Sequence, residues 1–212
     1  MLVRDIMTRP VVAIAPDMPI DDVIVLMGQR QLRHFPIAED GRVVGIVSDR
    51  DLRTVGSAHP KSRPGVKGSD PVRDLMSAPV WTAHPLDPID EVASLLRAHA
   101  IGAMPVVEEE EMVGIVTSSD CLDALIRMTG VGGAATRIEV ELPNRPGELA
   151  GLLTLIAEHG ADVASVLTTR SELDVAGFVL RVGTIDGRGL ALTLREAGYE
   201  VTWPPERTTE EA

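Results

Sequence analysis

Apolar residues recur at helical spacing in two places that mirror each other, first at Ile20, Val23, Ile24 and Met27 and then at Ile89, Val92, Ala93 and Leu96. Each predicted helix follows a short apolar run, Val11 to Ala15 or Val80 to Ala83, that reads as a strand leading into a Pro-rich turn. Each is succeeded by two more strands. In the first case Phe35-Pro36-Ile37 leads through Glu39-Asp40-Gly41 to Val43-Val44-Gly45-Ile46-Val47. In the second, Met104-Pro105-Val106-Val107 leads through the Glu108 to Glu111 run, a solvated hairpin turn, to Met112-Val113-Gly114-Ile115-Val116. A second helix is predicted from Ser48 or Thr117, because a hydroxyl there satisfies a free N–H of the first turn.

The resemblance between the halves is a repeat at an offset of 69 residues, running without a gap from about Val3 to Leu52. Val3-Arg4-Asp5-Ile6-Met7-Thr8 returns as Val72-Arg73-Asp74-Leu75-Met76-Ser77, and Gly45-Ile46-Val47-Ser48 with Asp51 returns as Gly114-Ile115-Val116-Thr117 with Asp120. One structural unit is therefore built twice, which predicts two related surfaces facing each other about a pseudo-twofold axis. Between the copies, Arg53 to Asp70 is rich in Gly, Pro, Ser and His and reads as a flexible connector carrying Lys61, Arg63 and Lys67.

After a Gly-rich linker from Thr129 to Ala135 the pattern changes. Arg137 to Leu142 alternates as a strand, Asn144-Arg145-Pro146-Gly147 is a turn, and Leu149, Leu152, Leu153 and Ile156 mark a helix ended by His159-Gly160. Strands near Asp162 to Thr169 and Val175 to Val182, a helix over Gly189 to Glu196 and a strand over Tyr199 to Trp203 complete a βαββαβ order. The polar tail from Pro204 is expected to fray.

Composition narrows the function classes. Of the 212 residues 44% are hydrophobic but only 2% aromatic, so the cores are aliphatic and a stacking platform for single-stranded nucleic acid is disfavoured. A net charge of −12 disfavours non-specific binding to phosphate backbones, and only the basic connector argues for a DNA-binding regulator. The one cysteine, Cys121, rules out an intrachain disulfide and a Cys-based zinc site. His59, His84, His99 and His159 show no metal spacing, and Trp81 is expected to pack rather than stack on a ligand. No stretch has the length of a membrane span or the core of a signal peptide, so a soluble cytoplasmic protein is expected.

The repeated unit resembles a CBS domain, and the pair resembles a Bateman module. The resemblance is carried by Asp5-Ile6-Met7-Thr8 and Asp74-Leu75-Met76-Ser77, by Pro36 and Pro105, and by Gly45-Ile46-Val47-Ser48-x-x-Asp51 with its echo ending at Asp120. It implies an adenine nucleotide or adenosine derivative held between the copies. A carboxylate in the first turn of a helix can accept hydrogen bonds from ribose hydroxyls, with the hydroxyl three residues earlier beside it. The primary cleft would use Ser48, Arg50 and Asp51, with Val80, Ile101, Gly102 and Ala103 lining the base and Arg33 and His34 near the phosphate. The secondary cleft would use Thr117, Ser119 and Asp120, with Val11 and Leu32 near the base. The positions equivalent to Arg33 and His34 there are Gly102 and Ala103, so the first cleft is expected to take AMP, ADP or ATP, and the second either to stay empty or to take an uncharged adenosine such as that of S-adenosylmethionine. Ser48, Thr117, Asp51 and Asp120 would equally serve as plain helix caps.

Residues from about 137 to 203 resemble an ACT domain, through the βαββαβ order and Leu142-Pro143-Asn144-Arg145-Pro146-Gly147-Glu148-Leu149. The resemblance implies an amino-acid site using Asn144, Gly147, Asp162 and Val163, or a turn with a purely dimerising role. The expected architecture is α+β: two CBS-type βαββα units forming a pseudo-twofold pair (residues 1–60 and 70–128), then a βαββαβ ferredoxin-like, ACT-type domain (residues 137–204). The order is similar to acetoin-utilisation B-type proteins. No catalytic constellation, metal set or obligatory cofactor is apparent. The expected function is a non-catalytic, homodimeric ligand sensor acting on an unidentified enzyme. The alternatives are a structural module with vestigial clefts and, through the connector, a DNA-binding regulator.

Overall fold

A computed structural model describes residues 1–55 and 65–206. His59, Lys61 and Arg63 of the connector, and the end of the polar tail, lie outside the described residues. The chain forms two compact units, Met1–Ala124 and a second beginning at Leu125.

The first unit holds both copies of the repeat. The first contributes α1 (Ile20–Arg30), β1 (His34–Glu39), β2 (Arg42–Ser48) and the single turn α2 (Asp49–Leu52). The second contributes α3 (Ile89–Ala98), β3 (Ala103–Glu108), β4 (Glu111–Thr117) and α4 (Ser118–Met128), of which Ser118 to Ala124 belong to this unit. The strands pair antiparallel within each copy, β1 with β2 and β3 with β4, with a bulge at the same place in both, after Ile37 and after Val106. The expected first strands are a correction. Only Ile14 and Ala83 pair, each as a single parallel bridge, to Ile37 and Val106. Ile14 N–H donates to the Pro36 carbonyl and its own carbonyl accepts from Ala38 N–H. Two residues on, Pro16 and Pro85 have no N–H with which to extend the ladder.

The segments that open each copy do not stay with it. Val3–Asp5 and Val72–Asp74 are short 3-10 turns. Val3 and Arg4 donate to the carbonyls of Asp87 and Pro85 in the second copy, and Val72 and Arg73 donate to those of Met18 and Pro16 in the first. Thr8 bridges Ile115, and Ser77 bridges Ile46. Val72 and Leu75 are thereby buried in the first core among Ile20, Val23, Phe35 and Ile37. Val3 is buried in the second, among Ile89, Val92, Met104 and Val116. Gly45 and Gly114 make this exchange fit: a Cβ on Gly45 would collide with the Met76 side chain, and one on Gly114 would lie 2.7 Å from Met7 Sδ.

The second unit contains β5 (Thr136–Pro143), α5 (Glu148–Glu158), β6 (Asp162–Ser171), β7 (Val175–Gly183), α6 (Gly187–Glu196) and β8 (Glu200–Trp203), matching the expected order. The antiparallel sheet runs β6-β7-β5-β8. Alternation along β5 turns Ile138, Val140 and Leu142 into one core with Leu152 and Ile156 of α5 and Leu190 and Leu194 of α6. The opposite face of β5 carries charge, with Glu139 paired to Arg137 and Glu141 to Arg170. Gly160, at φ +79 after the His159 cap, supplies the left-handed residue that ends α5.

The exchange generates a test. Leu75 is carried by the second copy but is 2% exposed in the core of the first. Leu75→Ala is expected to lower the unfolding free energy by about 2–5 kcal/mol. Hydrogen exchange should show protection lost in the β1–β2 hairpin ahead of β3–β4; the reverse order would contradict the exchange.

Candidate functional site

The sequence at the end of each second hairpin folds into a capping box. Ser48 Oγ accepts from Asp51 N–H at 3.4 Å, while Asp51 Oδ2 accepts from Ser48 N–H at 2.9 Å and from Ser48 Oγ at 2.6 Å. Thr117 and Asp120 repeat this, with Asp120 Oδ2 accepting from Thr117 N–H at 2.7 Å and from Thr117 Oγ1 at 2.8 Å. Each box therefore commits one carboxylate oxygen to the cap. Among the described residues neither Oδ1 takes a hydrogen bond or ion pair. The cap and ribose readings of these residues are thus compatible within one side chain.

A cavity of about 830 Å³ lies between the copies, within the usual size range of small-molecule sites. All nine residues expected for the primary cleft line it: Arg33, His34, Ser48, Arg50 and Asp51 from the first copy, and Val80, Ile101, Gly102 and Ala103 from the second. Leu32, Thr117 and Ser119, expected for the secondary cleft, line the same cavity, whereas Val11 and Asp120 are not among its walls. The cavity is thus continuous from the first cap to the hydroxyls of the second. The walls also include residues that the sequence reading missed, among them Asp49, Arg53, Ser77, Pro79 and Trp81. Ser77 and Pro79 arrive through the exchange of leading segments, because Ser77 N–H and carbonyl both pair with Ile46. No linear signal announces that. Trp81 stacks on His99, with ring centroids 4.0 Å apart and planes inclined by 24°.

The charges are unevenly placed. Arg53 pairs with Asp49 at 2.8 Å, one turn of helix away. Arg33 and Arg50 make no ion pair among the described residues. His34 has its pKa lowered, first by burial, then by the competing effects of Asp49, which raises it, and Arg33, which lowers it, with smaller effects from Asp51 and Arg50. Its imidazole is neutral at neutral pH. It lies against Gly102: a Cβ there would sit 2.6 Å from His34 Nε2. Gly102, the counterpart of Arg33 in the second copy, thus leaves room for the His34 ring where it stands. Cys121, next to Asp120, has its thiol pKa pushed up by burial and by that carboxylate, which leaves it a protonated, weak nucleophile. No group of three or more His, Cys, Asp or Glu is placed to hold a metal ion among the described residues, and no helix of theirs is long and apolar enough to cross a membrane.

In the second unit, Gly147 caps α5 with φ +97, a conformation that a side chain would strain. Asn144 Nδ2 donates to the Glu172 carbonyl at 2.6 Å and more weakly to Ser171 Oγ at 3.4 Å, so its amide clasps the β6–β7 turn. Asp162 Oδ1 accepts from Val163 N–H at 2.9 Å. Two of the four expected amino-acid contacts thus hold backbone, Asn144 that of the β6–β7 turn and Asp162 that of its neighbour.

Comparison with known proteins agrees with this architecture. The CBS domain family matches residues 3–57 and 72–127, and the ACT domain family matches residues 136–198. The CBS domain-containing protein YhcV of Bacillus subtilis is 29% identical over 136 residues, 64% of this chain and 94% of that protein. Other relatives are enzymes, including the L-aspartate semialdehyde sulfurtransferase of Methanocaldococcus jannaschii, of which this chain spans 22%. Among solved structures, the CBS domain pair of protein MJ0100, in complex with 5′-methylthioadenosine and S-adenosyl-L-methionine, is 27% identical. It covers 59% of this chain and 95% of its own, with a TM-score of 0.52. A putative acetoin utilization protein (AcuB) from Vibrio cholerae is 30% identical, covers 60% of this chain and 91% of its own, and has a TM-score of 0.51. The duplicated caps, the paired hairpins and the matched ranges together place this chain in the CBS-domain family, as a tandem CBS pair followed by an ACT domain.

Proposed function

We propose that the protein is a non-catalytic sensor that binds a phosphorylated adenosine between its CBS copies and passes that signal to a partner. The observation that carries this reading is the Asp51 carboxylate. It lines the cavity with one oxygen held by the Ser48 cap and the other without a partner among the described residues. Such an oxygen can accept from ribose hydroxyls in a fixed orientation. Val80, Ile101 and Ala103 offer apolar surface for a base, and Arg33 and Arg50 offer cations for phosphate. The complex of the MJ0100 pair with adenosine derivatives supports adenosine as the common ligand element. The arginines favour a phosphorylated form, AMP, ADP or ATP, over the sulfonium cation of S-adenosylmethionine at this end. An amino acid at the ACT turn, a homodimer and a regulated enzyme complete the proposal; Gly147, with an open φ and no side chain, is the feature of the second unit that supports a ligand there.

Thermal unfolding with AMP tests the reading. At a concentration one hundred times the dissociation constant, stability should rise by about 2.7 kcal/mol. Asp51→Ala should abolish that rise and also lower the unliganded stability by about 0.5–2 kcal/mol through the lost cap. Asp120→Ala should cost a similar cap and leave the AMP response largely intact. An unchanged AMP response in Asp51→Ala would overturn the site assignment.

His34 adds a pH dependence. Its folded pKa lies below the ordinary value of 6.5, because burial disfavours the imidazolium. The unfolded chain therefore binds a proton more readily, and the stability owed to neutral His34 is present above 6.5 and is lost as pH falls through the folded pKa. Melting of the unliganded protein between about pH 7.5 and about pH 5.5 should show this loss, and His34→Asn should reduce it. An equal acid loss in the variant would remove His34 from the account.

A further inference from the structure

Arg33 belongs by sequence to the first cap's end of the cavity, yet its guanidinium reaches the other copy. Arg33 Nη2 donates to Ser119 Oγ at 3.4 Å, across 86 positions of sequence. Ser119 sits inside the second capping box, between Thr117 and Asp120, whose own hydrogen bonds close on each other. Both Arg33 and Ser119 line the continuous cavity. Their bond is long and exposed, and among the described residues Arg33 has no carboxylate partner. A phosphate would draw the guanidinium away, since its oxygens carry the opposite charge that Ser119 Oγ lacks and can pair with a guanidinium through two parallel N–H···O bonds.

Resting on the adenosine reading above, we infer that Arg33 couples the two ends of the cavity. A phosphorylated adenosine at the Ser48–Asp51 end takes Arg33 from Ser119 and thereby opens the Ser119 end to an unphosphorylated adenosine. The freed hydroxyl then meets the incoming ligand without a guanidinium to displace, and the positive charge has moved to the other end. Two ligands of different charge class favour each other. Two phosphorylated ligands instead compete for one guanidinium. By linkage the effect is reciprocal: the uncharged ligand displaces Arg33 and presents it to phosphate.

The test uses the full chain, with AMP and 5′-methylthioadenosine as probes in isothermal titration. In the wild-type protein, saturating AMP should tighten methylthioadenosine binding by about 5-fold or more. Arg33→Ala, an exposed substitution, should bind methylthioadenosine without AMP as tightly as the wild type does with it, and AMP should add nothing. Ser119→Ala should still bind AMP but lose the enhancement. A purely structural Arg33 would not reproduce the AMP-bound affinity on removal. If AMP binds the wild type and leaves methylthioadenosine affinity unchanged, or if Arg33→Ala keeps the enhancement, the coupling is refuted and the nucleotide reading survives. If AMP does not bind at all, both fall.

Discussion

The first unit depends on the burial of each leading segment in the opposite copy. Val72 and Leu75 complete a core otherwise made by the first copy, and Val3 completes the second. Burying one such aliphatic side chain contributes about 1.5–3 kcal/mol, so each core lacks a substantial part of its stability without its neighbour. The methionines beside these residues, Met7 and Met76, reach strands that have glycine at the point of contact. The pair is therefore one folding object, and its cavity is framed by parts whose relative position the exchange fixes. A site built across two halves needs that rigidity, because a shift of an ångström between the copies would misplace the base-lining residues relative to the cap.

Within that frame the chemistry is concentrated in two carboxylates that serve backbone and cavity at once. The cap fixes the Asp51 rotamer through two hydrogen bonds to Oδ2, which orients the other oxygen at little further cost in side-chain entropy. The second copy keeps the box but has lost the arginine and histidine near it. Gly102 and His34 account for part of that loss, since the imidazole occupies the space a side chain at 102 would need. The net effect is one shared cavity with a cation-rich end and a hydroxyl-rich end.

The second unit was the more legible of the two. β5 alternates cleanly, and each helix is followed by a glycine with positive φ, Gly160 or Gly198, so local pattern and turn signals sufficed to order the elements. Asn144 was less legible. Its position in a turn motif suggests a ligand contact, while the structure shows the amide holding the Glu172 carbonyl. A side-chain amide next to a sheet has many backbone partners within reach, and which one it takes depends on a hairpin almost thirty residues away.

The 69-residue echo by itself determined that one unit is built twice, where its helices and hairpins lie, and that Ser48 with Asp51 and Thr117 with Asp120 occupy matched helix starts. These features are local: hydrophobic period, proline and glycine positions, and hydrogen bonds spanning three residues carry them. The tertiary structure alone decided which copy each leading segment completes, because the same apolar residues would satisfy either core in a linear reading. It also reduced the expected first strands to single bridges, merged much of two expected clefts into one cavity, and set Arg33 against Ser119. The merged cavity and the Arg33–Ser119 contact turn on which surfaces meet across the pseudo-twofold axis, and residues far apart in sequence meet only once the two copies have packed.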